Sequence, residues 1–149
     1  MKIFLIIMAM IFNLNQHLNP NHLEIFQSTS PELVVYGGAG AGKSFSIADK
    51  LLTQRIWQQD HNEIKILVIR KTFPSLRATA LDILQKRADL FKFDFRLNKS
   101  EWTARSGNLK FIFLSLNNRE DFHKLKSMTD IDYIWINEVT EIREEDYDE

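Results

Sequence analysis

Apolar residues along the chain follow two different periods, which predict strands and helices in alternation. Ile64–Arg70 is a run rich in β-branched residues, typical of a strand buried on both faces, and Ile131–Ile136 is predicted to be another buried strand. From Lys43 to about Gln59 the apolar residues recur every three or four positions, which predicts an amphipathic helix. A second helix is predicted from about Ser75 to Ala88. This alternation predicts an α/β fold whose sheet is mainly parallel and flanked by helices.

Shorter patterns between these elements predict three further strands and a helix. The strands alternate apolar and polar residues, a turn contains glycine, and the helix is polar with two apolar side chains facing inward. In chain order they are strands at Phe91–Phe95, Trp102–Ala104 and Leu109–Leu116, the turn Ser106–Asn108, and a helix at Asn118–Ser127 with Phe122 and Leu125 inward.

The first thirty residues are predicted to be a hydrophobic arm and a polar lead-in. Met1–Phe12 begins like a signal peptide, but no small-residue cleavage site follows and the run is too short to span a bilayer. An opening strand, or a true start at Met8 or Met10, are the other interpretations. Asn13–Pro31 is polar and carries one or two predicted helical turns around Leu23–Phe26.

The composition is that of an ordinary globular domain. The 149 residues are 44% hydrophobic and 26% charged, which is enough for one core and excludes a disordered tail. The formal net charge of −1 gives no overall signal for nucleic-acid binding. Cysteine is absent, which removes disulfides and thiolate chemistry, and the four histidines lack metal-ligand spacing.

The most informative stretch is a glycine-rich loop between a predicted strand and a predicted helix. Leu33–Tyr36 is apolar, and Gly37–Ser44 reads G-G-A-G-A-G-K-S, which fits the phosphate-binding pattern G-x-x-x-x-G-K-[ST] without a gap. Four of the five glycines in the protein lie here. A chance match in a chain of this length arises roughly once in 200 sequences, and its flanks make chance rarer still.

The chemistry of phosphate binding explains why this loop contains glycines, a lysine and a serine. Glycine accepts the positive φ angles that turn successive backbone N–H groups toward a phosphate, and a helix N-terminus adds its positive dipole end. Lys43 is expected to reach the β and γ phosphates, and Ser44 to present its hydroxyl to Mg²⁺. The nucleotide-binding residues predicted from the pattern are Gly37, Gly38, Ala39, Gly40, Ala41, Gly42, Lys43 and Ser44.

A second motif follows the strand predicted at Ile131–Ile136. Strand ends of a parallel sheet meet at one edge, so Asn137 and Glu138 are expected to approach Gly37–Ser44. Glu138 is the candidate base that activates water, because a carboxylate accepts a proton and an amide does not. A solvated residue at a strand end is the alternative for Glu138.

Three stretches together resemble the large subunit of tailed-phage terminases. They are Y-G-G-A-G-A-G-K-S, V-I-R-K-T-F-P-S-L-R (Val68–Arg77) and L-K-S-M-T-D-I-D-Y-I-W-I-N-E-V-T-E-I (Leu125–Ile142). The likeness runs from about Asn19 to Ile142. It implies a P-loop NTPase of the additional-strand type at residues 31–149, the ATPase part of a DNA-packaging motor. The resemblance implies ATP and Mg²⁺ as cofactors, and double-stranded DNA, a small subunit and a portal as partners. It also implies a homo-oligomeric ring in the bacterial cytoplasm, with no membrane association.

Three departures from the family pattern matter. Ala39 stands where the family often has arginine, and Asn137 stands where it usually has a carboxylate, so Asn137 is expected to support Mg²⁺ only weakly. The chain also ends soon after Glu138, before the strand that the family inserts between the loop strand and the acidic strand, and before its nuclease. The sequence is therefore interpreted as an N-terminal piece with little activity alone.

Other interpretations stay open. A helicase-like P-loop ATPase and a non-catalytic prophage remnant both account for the loop. Arg70, Lys71 and Arg77 lie in a basic segment that could touch phosphate or a neighbouring subunit, or could be solvated.

Overall fold

A computed structural model describes residues 17–57 and 63–142, with the side chains of residues 55–57 left out. The predictions for Met1–Phe12, for the end of the first long helix beyond Trp57, and for the acidic last residues lie outside this part. The described chain forms one five-stranded sheet with helices packed on it.

The elements are named here in chain order. The strands are β1 (Ile64–Arg70), β2 (Arg96–Asn98), β3 (Thr103–Ser106), β4 (Leu109–Ser115) and β5 (Tyr133–Ile136). The α-helices are α1 (Leu23–Gln27), α2 (Lys43–Trp57), α3 (Phe73–Leu76), α4 (Asp82–Leu90) and α5 (Arg119–Ser127). Short 3-10 turns are at Pro20–His22 and Val139–Glu141, and a π-helical segment, Arg77–Leu81, joins α3 to α4.

The sheet is mixed, which corrects the prediction of a mainly parallel sheet. Its order is β2-β3-β4-β1-β5, with β1 parallel to both β4 and β5. The pairs β2–β3 and β3–β4 are antiparallel. Only short turns link these three strands, and a short turn can join only antiparallel neighbours. Gly107, with φ of 59°, makes the turn between β3 and β4.

β1 lies between β4 and β5 and is parallel to both, as predicted for a buried strand from its β-branched residues. Side chains on one face of β1 and β4 pack with α2, α4 and the π-helical segment, and Phe111 and Leu52 are fully buried there. The other face packs with α5 through Phe122 and Leu125, the two side chains predicted to face inward. Asn118 caps α5 by accepting a hydrogen bond from the Asp121 amide.

A buried ion pair fixes α2 against α4. The Arg87 guanidinium donates to both carboxylate oxygens of Asp49, with Nη2 to Oδ2 at 2.8 Å, and it also donates to the His17 carbonyl. Burial raises the pKa of Asp49, and the hydrogen bond from Arg87 opposes that rise. Losing either partner would leave the other charge buried and unpaired, which is far costlier than losing an exposed pair.

The strand predicted at Phe91–Phe95 is wrong, although its burial pattern is right. Phe91 and Phe93 are buried while Lys92 is exposed. The backbone there closes α4 instead: the Phe93 amide bonds to the Ala88 carbonyl, and Lys92 takes a left-handed φ of 59°. This arrangement is a Schellman cap. The backbone amides of Lys92 and Phe93 bond to carbonyls of α4, so they cannot pair with a neighbouring strand. The strand begins later, at Arg96.

The strand predicted at Leu33–Tyr36 is also wrong, because the segment pairs with no strand of the described sheet. Val34 is 83% exposed and Tyr36 is 91% exposed. The prediction of a buried strand at Ile131–Ile136 needs correction too, since β5 starts at Tyr133. Ile134 is 59% exposed and Ile136 is 43% exposed, whereas Trp135, on the opposite face of β5, is 4% exposed. β5 forms one edge of the sheet.

Within the part of the chain that the structure describes, no helix is both long enough and apolar enough to cross a membrane.

The exposed edge generates a prediction about self-association. An edge strand with exposed apolar side chains offers unpaired backbone groups to other chains, and lysine on such an edge blocks that pairing. Ile134→Lys should therefore increase the monomer fraction in size-exclusion chromatography at rising concentration. Leu90→Lys is the control, since Leu90 is an exposed apolar residue at the end of α4, away from the edge. A parent that stays monomeric throughout would contradict the expectation.

Candidate functional site

The glycine-rich loop has the backbone that its sequence predicts. Gly37, Gly40 and Gly42 all have positive φ, at 148°, 76° and 81°. Gly42 is additionally crowded, since a Cβ there would lie 3.3 Å from Asn19 Nδ2. A side chain at position 42 would thus be both strained and obstructed. The loop leads directly into α2, which begins at Lys43 and directs its N-terminus at the loop.

Lys43 folds back over the loop. Its Nζ donates to the carbonyl oxygens of Gly37 and Gly38, both at 2.8 Å. These two contacts hold the ammonium group above the residues whose amides are expected to face phosphate. The lysine is therefore positioned by its own loop.

The lead-in packs against the same loop, which the sequence did not predict. His22 Nδ1 lies 2.8 Å from Ser46 Oγ and 3.3 Å from Asn19 Nδ2. Lys50 of α2 donates to the carbonyls of Phe26 and Ser28. Partners 22 to 24 residues apart give no local signal, so only the tertiary structure identifies this contact.

Asn137 reaches the loop as predicted. Its amide N–H donates to the Ile69 carbonyl at 2.8 Å, extending the β1–β5 pairing by one bond, and the residue is only 5% exposed. Ser44 Oγ donates to Asn137 Oδ1 at 3.4 Å. Asn137 Nδ2 donates in turn to Thr79 Oγ1 at 3.2 Å. The structure thus brings together the end of β5 and the first turn of α2.

Glu138 is held in an unusual backbone conformation. Its φ and ψ are 60° and 62°, in the left-handed region, and its side chain is exposed. A residue with a Cβ typically costs on the order of 1–3 kcal/mol there. The following 3-10 turn stabilises it, because the Glu141 amide donates to the Glu138 carbonyl at 3.0 Å.

Arg70 anchors that turn, so its interpretation as a solvated residue is wrong. Its Nε and Nη2 donate to the two carboxylate oxygens of Glu141 at 3.0 and 2.8 Å, and its Nη1 donates to Thr79 Oγ1 at 2.6 Å. The hydrogen bond from Arg70 lowers the pKa of Glu141, and the same bond raises the pKa of Arg70. Arg77 is exposed, which fits both interpretations of this residue.

The donor chemistry of this site fits a magnesium ion that accompanies nucleotide. Ser44 offers a hydroxyl oxygen and Asn137 an amide oxygen, and Mg²⁺ in nucleotide sites takes few protein oxygens beside phosphate and water. Within the described residues, no group of three or more His, Cys, Asp and Glu could form a metal site by itself.

The chain matches a family model described as phage terminase large subunit over residues 31–149. Two solved structures are similar in fold. The large terminase from a thermophilic bacteriophage has a TM-score of 0.68 at 15% identity, and the same terminase in complex with ADP has 0.65 at 16%. Each comparison covers 87% of this chain and 34% of the terminase, so the chain spans about a third of its length. No curated protein sequence matches.

The Glu141–Arg70 pair generates a prediction about pH. Because the pKa of Glu141 is lowered in the folded state, its stabilisation is present above the ordinary glutamate range and is lost as the pH falls through the lowered pKa. Glu141→Gln should reduce the unfolding free energy by about 1 kcal/mol at neutral pH, the value for a partly exposed pair. The difference from the parent should vanish in acid.

Urea unfolding at several pH values measures this. Glu63→Gln, which removes the single-bond pair with Arg105 at the other end of β1, is the matched control. A Glu141→Gln difference that persists unchanged in acid would contradict the assignment.

Proposed function

The chain belongs to the phage terminase large-subunit family, and we propose that it is the ATP-binding part of a DNA-packaging ATPase. The observation that carries the proposal is the approach of Ser44 to Asn137, which joins the two motifs at one edge of the sheet. The ADP complex of the similar phage terminase supports the choice of nucleotide.

Each site residue has a proposed role. The amides of Gly37–Gly42 surround the phosphates, and Lys43 exchanges its two carbonyl contacts for phosphate oxygens. Ser44 and, more weakly, Asn137 hold the accompanying Mg²⁺, which neutralises charge on the phosphates. Glu138 is the base that orients and deprotonates water, and its exposed carboxylate is accessible to solvent.

The wider assignments follow from family membership. We propose double-stranded DNA, a small subunit and a portal as partners, assembly of the motor as a ring, and a cytoplasmic location. The proposed ATPase part is residues 31–149. The lead-in before it contacts α2, which follows the loop, through the pairs His22–Ser46 and Phe26–Lys50.

Nucleotide binding with negligible turnover is a second candidate for this chain by itself. The segment Leu33–Tyr36, which carries the loop, pairs with no strand in the described sheet. Hydrolysis needs the phosphates held within a fraction of an ångström of the base, whereas binding tolerates a looser loop. Phosphate release at saturating ATP distinguishes the two candidates.

Lys43→Ala should remove most of the affinity for ATP. A hydrogen bond to a charged group contributes about 1.5–3 kcal/mol, which corresponds to roughly a 10- to 100-fold loss. Titration of a fluorescent ATP analogue measures the change. Lys86→Ala removes an exposed lysine from α4 and is the control. Equal binding by Lys43→Ala and the parent would reject the site.

Asn137→Asp should lower the Mg²⁺ concentration needed for half-maximal ATP binding, by about 10-fold or more, because it adds a negative charge beside the metal. It should also lower the melting temperature, since a carboxylate cannot donate to Thr79. The lost hydrogen bond to Thr79 typically costs about 1 kcal/mol, which is less than the free energy gained in Mg²⁺ binding. Asn118→Asp, a conservative change at the cap of α5, is the control. An unchanged Mg²⁺ midpoint would contradict the role of Asn137.

A further inference from the structure

We propose that Thr79 is a positioning residue: its hydroxyl fixes the Asn137 amide so that the amide oxygen faces Ser44. This inference rests on the proposed function, because its consequence concerns the metal that accompanies ATP. Thr79 lies in the π-helical segment Arg77–Leu81, and its hydroxyl contacts Arg70, Ser75 and Asn137. Such π segments often occur at functional sites.

The Thr79 hydroxyl can form at most three hydrogen bonds, one as donor and two as acceptor. A threonine hydroxyl has one hydrogen to donate and two lone pairs to accept with. Thr79 donates its hydrogen to the Ser75 carbonyl at 2.7 Å. Arg70 Nη1, which can only donate, occupies one lone pair at 2.6 Å. One lone pair is left for Asn137.

A side-chain amide can face a lone pair only with its NH₂ group. The Asn137 nitrogen, which lies 3.2 Å from Thr79 Oγ1, is therefore the atom that faces Thr79, and the oxygen points the other way. While Thr79 donates its hydrogen to Ser75, the flipped amide is disfavoured, because two oxygen atoms without a hydrogen between them would meet. The orientation of Asn137 thus depends on Thr79.

The orientation has a direct effect on Ser44. Because Asn137 presents its oxygen, Ser44 donates its own hydrogen to it at 3.4 Å and keeps both lone pairs available for Mg²⁺. With the amide flipped, an amide hydrogen would occupy one of those lone pairs. Thr79 consequently influences the metal site without touching it.

The rest of the network keeps Thr79 in place. Arg70, which bonds to Thr79, also holds Glu141 through two hydrogen bonds. Glu141 belongs to the turn that follows Glu138, so a single set of contacts connects the metal-supporting side chain with the proposed base. Thr79 supplies the hydroxyl in this set that Arg70 and Asn137 share.

The test compares Thr79→Val, which keeps the shape and removes the hydroxyl, with Thr79→Ser, which keeps the hydroxyl. Binding of a fluorescent ATP analogue to the full chain is measured in Mg²⁺ and in excess EDTA. Thr79→Val should weaken binding about 10-fold in Mg²⁺ and little in EDTA, since changes beyond the direct ligands cost about 10- to 100-fold. Thr79→Ser should bind like the parent. Equal losses in both conditions, or no rescue by serine, would overturn the proposal.

A second measurement needs no variant at position 79. In the ¹⁵N-labelled parent, the Asn137 side-chain NH₂ signal, assigned by its absence in Asn137→Asp, should exchange slowly and show contacts to Thr79 protons. The NH₂ of exposed Asn117 is the comparison. Contacts to Ser44 protons instead would overturn the proposal. If the parent binds no nucleotide, the proposed function fails, and this spectrum still decides the orientation of Asn137.

Discussion

The parallel pairing of β1 with β5 is the constraint on which the site depends. Ile69 lies opposite Ile136, so the two strands end side by side. Arg70 and Asn137, the next residues, therefore lie at the same edge of the sheet. The bond from the Asn137 amide to the Ile69 carbonyl continues the ladder past the last paired residues. A shift of the pairing by one residue would turn Asn137 to the other face and separate it from Ser44.

Polar side chains at this edge are satisfied by one another, which permits their burial. Asn137 is almost fully buried, yet its amide bonds to Thr79 and Ser44. Among the described residues, no buried side-chain nitrogen or oxygen lacks a partner. An unpaired polar group in such a place typically costs about 1–3 kcal/mol, so removing one member affects the others. The left-handed backbone of Glu138 is maintained in the same way, since Arg70 holds the turn that follows it.

The other half of the site is less constrained. Helix α2 is fixed to α4 by the Asp49–Arg87 pair and to the lead-in by Lys50, so the start of the helix is well supported. The segment Leu33–Tyr36 before the loop pairs with no described strand, and β5 exposes Ile134 and Ile136. Among the described residues, the loop is therefore anchored on its helix side, where it continues into α2 and where His22 contacts Ser46 in the first turn of that helix.

The sequence by itself determined the elements whose signals are local. The β-branched residues of β1 and the apolar period of α2 reflect short-range preferences, and both elements form as predicted. Gly37, Gly40 and Gly42 take the positive φ angles that glycine allows. Tertiary structure decided the rest. Leu33–Tyr36 has a strand's sequence but no described neighbour to pair with, and Phe91–Phe95 has a strand's alternation but closes a helix.

The contacts that make the site are the part that no local pattern could predict. Ser44 lies 93 residues from Asn137 along the chain, and Glu141 lies 71 residues from Arg70. A local steric preference acts over a few residues, whereas these pairs meet only when β1, β5 and α2 have packed together. The sequence therefore determined which side chains could do the chemistry, and the register of β1 with β5 decided which of them meet.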